Sequence, residues 1–186
     1  MKRIGPVLGA STAVCLAMAI AACAAGADDE TVQAASSAPP PPSSVAYAQL
    51  TGAAGTFHGR AVFTDVGNDI SVDVKFQNLP GGTHGVHIHA VGRCAAPDFT
   101  SAGGHWNPTD EAHPRHKGDL GNVTANADGT AQLRAIVSGA SLLDGEISLI
   151  DFDGAALIVH AMADDMISQP SGAAGARIAC SAITVG

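Results

Sequence analysis

The stretch "AVFTDVGNDISVDVKF", residues 61–76, holds the clearest structural signal in the chain. Apolar and polar residues alternate without interruption in Ile70–Phe76, and the turn sequence "GND" separates this run from Ala61–Val66. Alternation with a period of two is typical of a β-strand with one buried face. The stretch therefore predicts an antiparallel hairpin.

Further short runs rich in β-forming residues occur along the chain, and turn sequences such as "NADGT" and "FDGA" separate them. No window longer than about a dozen residues keeps a helical period with caps, so we expect an all-β sandwich or barrel. Residues 92–124 are instead rich in Gly, Pro, His and Asp, which is typical of a long functional loop. The predicted strands are Val45–Leu50, Gly85–Val91, Ala131–Val137, Ile147–Phe152, Ala155–Ala161 and Ala176–Ile183.

The N-terminal region has the features of an export signal. A basic start and an apolar run ending in small residues predict a signal peptide over residues 1–22. The exit "IAAC" resembles a bacterial lipobox, which would make Cys23 the lipidated first residue of the mature chain; ordinary cleavage without lipid is the alternative. An Ala/Ser/Pro-rich tether over 23–44 then leads to one domain at 45–186. We expect a protein of the periplasm or cell envelope, anchored to a membrane through Cys23.

Charge and cysteine content limit the partners of the predicted domain. Seven basic and fourteen acidic residues give residues 45–186 a formal charge of −7, which argues against nucleic acid. An anionic substrate would need a local positive field, because the protein as a whole repels it. Cys94 and Cys180 are the only cysteines of this domain, and an even pair in an exported protein predicts one disulfide.

The histidines at positions 87 and 89 form a first candidate ligand pair. Side chains alternate between the two faces of a strand, so His87 and His89 project from the same side. Two adjacent imidazoles can bind one metal ion, but this pair alone is a weak signal, and exposed or hydrogen-bonded histidines are the commoner alternative.

A second cluster lies in the long loop, where three histidines and a carboxylate occur within fifteen residues. Such a set completes a tetrahedral zinc site. The cluster consists of His105, His113, His116 and Asp119. Further on, His160 ends the apolar run "ALIVH" and, taken alone, is better explained as a hydrogen-bonded core residue.

Five segments in this order, "GVHIHAVGRC", "SAGGHWNP", "RHKGDLGNVT", "LIVHAMADD" and "GARIAC", resemble the copper,zinc superoxide dismutases, particularly the exported bacterial type. The resemblance covers about Tyr47 to Ile183. It implies a Greek-key, eight-stranded flattened barrel or β-sandwich with long metal-binding loops. It also implies an antioxidant enzyme of the cell envelope that converts superoxide into oxygen and hydrogen peroxide by copper redox cycling.

The resemblance assigns the candidate ligands to two ions. His105 would bridge copper and zinc and would also donate a proton to the reaction. The copper ligands would be His87, His89, His105 and His160, and the zinc ligands His105, His113, His116 and Asp119.

The same resemblance gives roles to residues around the metals. Arg177 would attract and orient superoxide. Asp164 would accept hydrogen bonds from one copper histidine and one zinc histidine. Cys94–Cys180 matches the disulfide of the family, and His84 matches a structural histidine. His58 has no counterpart and is expected to be exposed.

Two departures from the family pattern affect the metal site and the approach of substrate. Only Pro114 and Arg115 separate two zinc ligands, so zinc would bind less tightly or with altered geometry. The loop Asp165–Ala176 has no basic residue, so attraction would depend on copper and Arg177, with help from Arg93 or Lys117. We therefore expect slower association with superoxide than in the fastest relatives.

Two other functions compete with catalysis: a copper carrier built on the same barrel, and a structural lipoprotein that binds only zinc. Copper-delivery relatives lack part of the copper set or add C-x-C or C-x-x-C motifs. Here the four histidines and Arg177 are intact and neither motif occurs. Whether the chain forms a homodimer is left open by the sequence.

Overall fold

The computed structural model of the chain describes residues 44–186. The predicted signal peptide, Cys23 and the predicted tether as far as residue 43 lie outside the described residues. Across 44–186, no helix is long and apolar enough to cross a membrane. The elements are β1 (Val45–Thr51), β2 (Phe57–Val66), β3 (Asp69–Phe76), β4 (Thr83–His89), a 3-10 turn (Thr100–Ala102), β5 (Asp119–Thr124), β6 (Ala131–Ser138), β7 (Ala156–His160), β8 (Arg177–Ala182) and β9 (Thr184–Val185).

All strand pairs are antiparallel, and the strand order is β5-β4-β7-β8-β1-β2-β3-β6, with β9 paired to β1. The two strands at the ends of this order, β5 and β6, contact each other, so the sheet nearly closes into a barrel. Strands distant in sequence lie side by side, as β3 does with β6 and β4 with β7, which is a Greek-key arrangement. The predicted all-β Greek-key fold is confirmed.

The predicted hairpin is formed by β2 and β3, whose register pairs Phe63 with Val72 and Ala61 with Val74. The apolar members of the alternating run point into the barrel, where Phe63, Ile70 and Val74 are fully buried. Burying each such side chain contributes roughly 1.5–3 kcal/mol. The hairpin therefore forms part of a rigid core on which the long loops are mounted.

The prediction of a strand at Ile147–Phe152 is wrong. This stretch lies in the irregular connection between β6 and β7, where an isolated bridge joins Ser141 and Ser148. Leu149 of this stretch is nevertheless fully buried, and Ile147 and Ile150 pack against the core, whereas Phe152 is exposed. A short apolar run in a sequence indicates buried side chains, but it does not show that the segment pairs as a β-strand.

The long loop predicted over residues 92–124 is wrong at its C-terminal end, because Asp119–Thr124 forms β5 against β4. The sequence "DLGNVT" has Gly and Asn at its centre, which weakens its strand signal. The register shifts between Val86 and His87, so that Asp119 lies opposite His87. This irregularity places Asp119, the first residue of β5, opposite the strand β4 that carries two histidines.

Candidate metal centre

Two paired strands and one loop bring four histidines together. His87 and His89 lie on β4, and their ring centroids are 6.5 Å apart. His160 is the last residue of β7, the neighbour of β4, and the loop residue His105 forms an isolated bridge with His89. One ring nitrogen from each of the four lies within 4.8 Å of the others. We call these four residues the first group.

Each imidazole on the strands is anchored through the ring nitrogen that faces away from the others. Carbonyl and carboxylate oxygens only accept hydrogen bonds, so the anchored nitrogen carries the hydrogen and the opposite nitrogen of a neutral ring keeps a free lone pair. The anchoring bonds are His87 Nε2 to Asp164 Oδ2 (2.7 Å), His89 Nδ1 to Gly103 O (2.9 Å) and His160 Nδ1 to Gly175 O (3.1 Å).

Burial keeps these three imidazoles neutral. It lowers the pKa of His87 from 6.5 to about 3, that of His89 to about 2 and that of His160 to about 4. Hydrogen bonds to Asp164, Gly103 and Gly175 raise the pKa of His87, His89 and His160 respectively, and the charge of Arg177 lowers that of His89 and His160, but burial has the largest effect on all three. The neutral form is the one that binds metal ions, so these three rings are in the form that can act as ligands at ordinary pH.

A second group surrounds the carboxylate of Asp119. Its Oδ1 accepts a hydrogen bond from His105 Nδ1 at 2.7 Å, and its Oδ2 lies 3.1 Å from His113 Nδ1 and 3.2 Å from His116 Nδ1. The four ligand atoms lie within 4.8 Å of one another. His105 belongs to both groups, because its Nδ1 faces Asp119 and its Nε2 remains for the first group.

Of the four buried ring nitrogens that have no hydrogen-bond partner among the described residues, one, His58 Nδ1, lies outside both groups. The other three are His87 Nδ1, His105 Nε2 and His113 Nδ1. Each is a candidate ligand atom of one of the two groups. An unpaired buried polar atom costs about 1–3 kcal/mol, so three of them in one place indicate a missing ligand. Imidazoles alone on one side, and imidazoles with a carboxylate on the other, fit copper and zinc respectively.

Asp164 joins the two groups through one carboxylate. Its Oδ2 accepts from His87 Nε2 at 2.7 Å, and its Oδ1 accepts from His113 Nε2 at 2.9 Å. Burial raises the pKa of Asp164, but hydrogen bonds from Met166 N–H and the two histidines outweigh this effect and lower it below 3.8. The side chain of Asn122 on β5 holds the main chain of Asp164 through two bonds of 2.8 Å. The sequence reasoning missed this role of Asn122.

Arg177 lies beside the first group at the start of β8. It donates from Nη1 to Phe99 O and from Nη2 to Gly103 O, both at 2.6 Å. The loop that carries these carbonyls is tied to β8 by the Cys94–Cys180 disulfide, which confirms the predicted pairing. A cleft of about 390 Å³ opens here, lined by His89, Gly104, His105, Asn107, His116, His160, Pro170, Ser171, Gly175 and Arg177.

The two remaining histidines lie outside both groups. His84 is buried, with Nδ1 2.8 Å from His160 O and Nε2 2.9 Å from Pro80 O, which fits a structural role. The expectation that His58 is exposed is wrong, because the ring is half-buried against Gly52. His58 lies near the start of β2, and a Cβ at position 52 would come within 2.9 Å of its Nε2, so the glycine makes room for the ring.

The two basic residues proposed to help Arg177 do not reach the cleft. Lys117 donates from Nζ to Ser138 O at 2.7 Å, at the end of β6, and neither Lys117 nor Arg93 lines the cleft. Among the described residues, Arg177 is therefore the one arginine or lysine that lines this cleft.

Comparisons with known proteins agree on one family. The family model of the copper/zinc superoxide dismutases matches residues 57–183. The superoxide dismutase-like protein YojM of Bacillus subtilis is 40% identical over 126 residues, a stretch that spans 64% of this chain and 64% of that protein. The Cu-Zn superoxide dismutase of Caulobacter vibrioides is 34% identical over 134 residues, which cover 67% of this chain and 77% of that protein.

A solved structure with the same fold supports this grouping. It is the crystal structure of a double mutant of a superoxide dismutase-like protein from Bacillus subtilis, in which a tyrosine and a proline are changed to histidine. The TM-score is 0.68 and the identity 36%, with 73% of this chain and 95% of that chain covered. Since the family model matches well over half of a chain that also forms the Greek-key barrel, the protein belongs to the copper/zinc superoxide dismutase family.

Proposed function

We propose that this chain is a superoxide dismutase that uses copper and zinc to convert superoxide into oxygen and hydrogen peroxide. The observation that carries the proposal is the complete first group beside Arg177 in an open cleft. Two superoxide ions and two protons give one molecule of oxygen and one of hydrogen peroxide.

The two groups are assigned to different ions by their donor chemistry. The first group, made only of neutral imidazoles, holds copper, and the second, which includes a carboxylate, holds zinc. Copper, when bound, supplies the one-electron exchange with superoxide. His105 belongs to both groups and would serve as a ligand to both ions.

Arg177 binds and orients the substrate anion. A guanidinium is charged at all working pH values, and two of its N–H groups are fixed on loop carbonyls, which leaves the others free for an anion. Because the domain carries a formal charge of −7, this local positive field offsets a general repulsion of superoxide.

His105 Nε2 is the atom that holds and delivers a proton. His105 is one of the residues that line the cleft, and its buried Nε2 has no hydrogen-bond partner among the described residues, while Nδ1 lies 2.7 Å from Asp119 Oδ1. A ring fixed in this way can accept a proton at Nε2 and donate it to reduced dioxygen in the cleft. Solvent supplies the second proton.

The site of action is the cell envelope, with Cys23 as a lipid anchor after removal of residues 1–22. The disulfide between Cys94 and Cys180 supports an oxidising compartment. Fractionation of cells expressing the wild type or Cys23→Ser tests the anchor: the wild type should sediment with membranes and the variant should be released. A wild-type protein that stays in the soluble fraction would refute it.

A second candidate is a copper or zinc carrier or structural lipoprotein without catalysis. The observation that favours it is that relatives of similar length carry the name superoxide dismutase-like. Metal analysis combined with superoxide consumption separates the candidates. Bound copper with consumption supports the enzyme, bound copper without it supports a carrier, and zinc alone supports the structural role.

A further inference from the structure

The short connection between His113 and His116 leaves the main chain of His113 without partners in its own loop. Among residues 44–186, its N–H and its carbonyl oxygen bond only to the side chain of Gln169. His113 N–H donates to Gln169 Oε1 at 3.0 Å, and Gln169 Nε2 donates to His113 O at 2.7 Å. One amide group therefore satisfies both main-chain atoms of this residue.

The loop that carries Gln169 is itself fixed. Asp165 Oδ1 accepts from the N–H groups of Ile167 and Ser168 at 2.9 and 2.8 Å, and Asp165 Oδ2 accepts from Ser168 Oγ at 2.5 Å. Ser168 O accepts from Gly172 N–H at 2.7 Å. These bonds form a closed turn, so that Gln169 is presented from a defined position and not from a freely moving chain.

The same loop also holds the ring of His113, since Asp164 Oδ1 accepts from His113 Nε2 at 2.9 Å. His113 is thus held at three points, its ring by Asp164 and its main chain twice by Gln169, and these residues lie 51 and 56 positions further along the chain. The next residue, Pro114, has no main-chain N–H and cannot donate a hydrogen bond that would hold the connection.

We propose that Gln169 is a positioning residue for His113 and sets the metal affinity and geometry of the second group. It compensates for the two-residue connection by supplying the main-chain contacts that a longer loop would otherwise make for itself. The inference rests on the zinc assignment made under the proposed function.

Gln169→Met tests this role, because it keeps the length of the side chain and removes both hydrogen bonds. Gln77→Met is the matched control: Gln77 is exposed, and its side chain makes no hydrogen bond within residues 44–186. Co(II) serves as the probe, since its visible absorption reports ligand geometry. It is titrated into the metal-free full-length chain carrying His160→Ala, so that the first group, left with three of its four histidines, competes less for the probe.

We expect Gln169→Met to lower the Co(II) affinity about threefold to tenfold and to change the absorption spectrum, as loss of a hydrogen-bond pair implies. Gln77→Met should match its parent in Co(II) affinity and in absorption spectrum. Circular dichroism should show the same fold for all forms. Equal affinity and an identical spectrum in Gln169→Met would overturn the inference while leaving the zinc assignment intact. Failure of the parent protein to bind Co(II) at all would overturn both.

Discussion

Arg177 and His89 share a single hydrogen-bond acceptor. Gly103 O accepts from Arg177 Nη2 at 2.6 Å and from His89 Nδ1 at 2.9 Å. The proposed anion-binding side chain and a proposed copper ligand are therefore fixed relative to each other by one atom. Because Gly103 lies in the loop that the Cys94–Cys180 disulfide ties to β8, the geometry of substrate binding depends on that loop.

Replacing Arg177 should slow the reaction without removing metal. In Arg177→Ala the cleft loses its lining cation, so we expect the superoxide rate constant to fall about tenfold or more and to lose its acceleration at low salt. Arg134→Ala removes the same charge from an exposed side chain paired with Asp73 and should leave the rate near the wild-type value. Salt-dependent acceleration that survives in Arg177→Ala would contradict this role.

Removing the disulfide should destabilise the barrel and loosen the Gly103 loop together. The bridge closes a loop across a sequence separation of 86, which corresponds to about 4–5 kcal/mol of unfolding free energy in the chain-entropy model. Urea unfolding of the double variant Cys94→Ser, Cys180→Ser, compared with the oxidised wild type, measures the loss. A difference below about 1 kcal/mol would be incompatible with that estimate.

His160→Ala should lose copper and keep the barrel. The truncation removes one of four ligand nitrogens from the first group, while the second group does not include this residue. We expect metal analysis to show retained zinc and at least about tenfold weaker copper binding. His58→Ala, at a half-buried histidine outside both groups, should bind both metals normally. Undiminished copper binding in His160→Ala would show that the assignment is wrong.

Asp164→Asn should weaken both groups at once. His87 Nε2 and His113 Nε2 each contact a different oxygen of Asp164, and the substitution replaces one of these oxygens by an NH2 donor. One ring therefore loses its acceptor, and the other is perturbed. We expect the affinities for copper and zinc to fall about 10- to 100-fold. Asp73→Asn, at an exposed aspartate of the barrel, is the control. Loss of one metal only, with normal affinity for the other, would rule out a shared anchor.

The metal-free protein should become less stable as the pH falls below the ordinary histidine value. Burial lowers the folded-state pKa of His87, His89 and His160 to about 3, 2 and 4, whereas in the unfolded chain these residues titrate near 6.5. Between pH 6.5 and 4 the unfolded chain therefore binds more protons than the folded one, and acid favours unfolding. In the presence of a chelator, the urea midpoint of unfolding should be lower at pH 5 than at pH 7. Equal midpoints would contradict the burial of neutral rings.

Much of the fold and site could be predicted because the relevant signals are local or belong to a family pattern. The period-two alternation of Ile70–Phe76 follows from a strand with one buried face, and the structure pairs it as predicted. The four histidines of the first group lie far apart in sequence, and only the family resemblance joined them before the structure did.

The features that the sequence did not predict depend on contacts between distant segments. Strand β5 is short and contains Gly121 with a positive φ of 93°, so its pairing is set by β4 and not by local propensity. The amides of Asn122 and Gln169 bind main-chain atoms 42 and 56 residues away. Polar side chains on the surface carry no periodic signal, so these contacts could be found only once the loops were in place.

The most direct test of catalysis is the rate of superoxide decay, followed by pulse radiolysis, with the bound copper quantified in the same samples of the zinc-loaded, oxidised protein. We predict that the catalysed rate rises in proportion to bound copper and levels off at one copper per chain, and that His160→Ala stays at the metal-free rate. A wild-type protein that is fully loaded with copper but leaves superoxide decaying at its uncatalysed rate would contradict the proposed function.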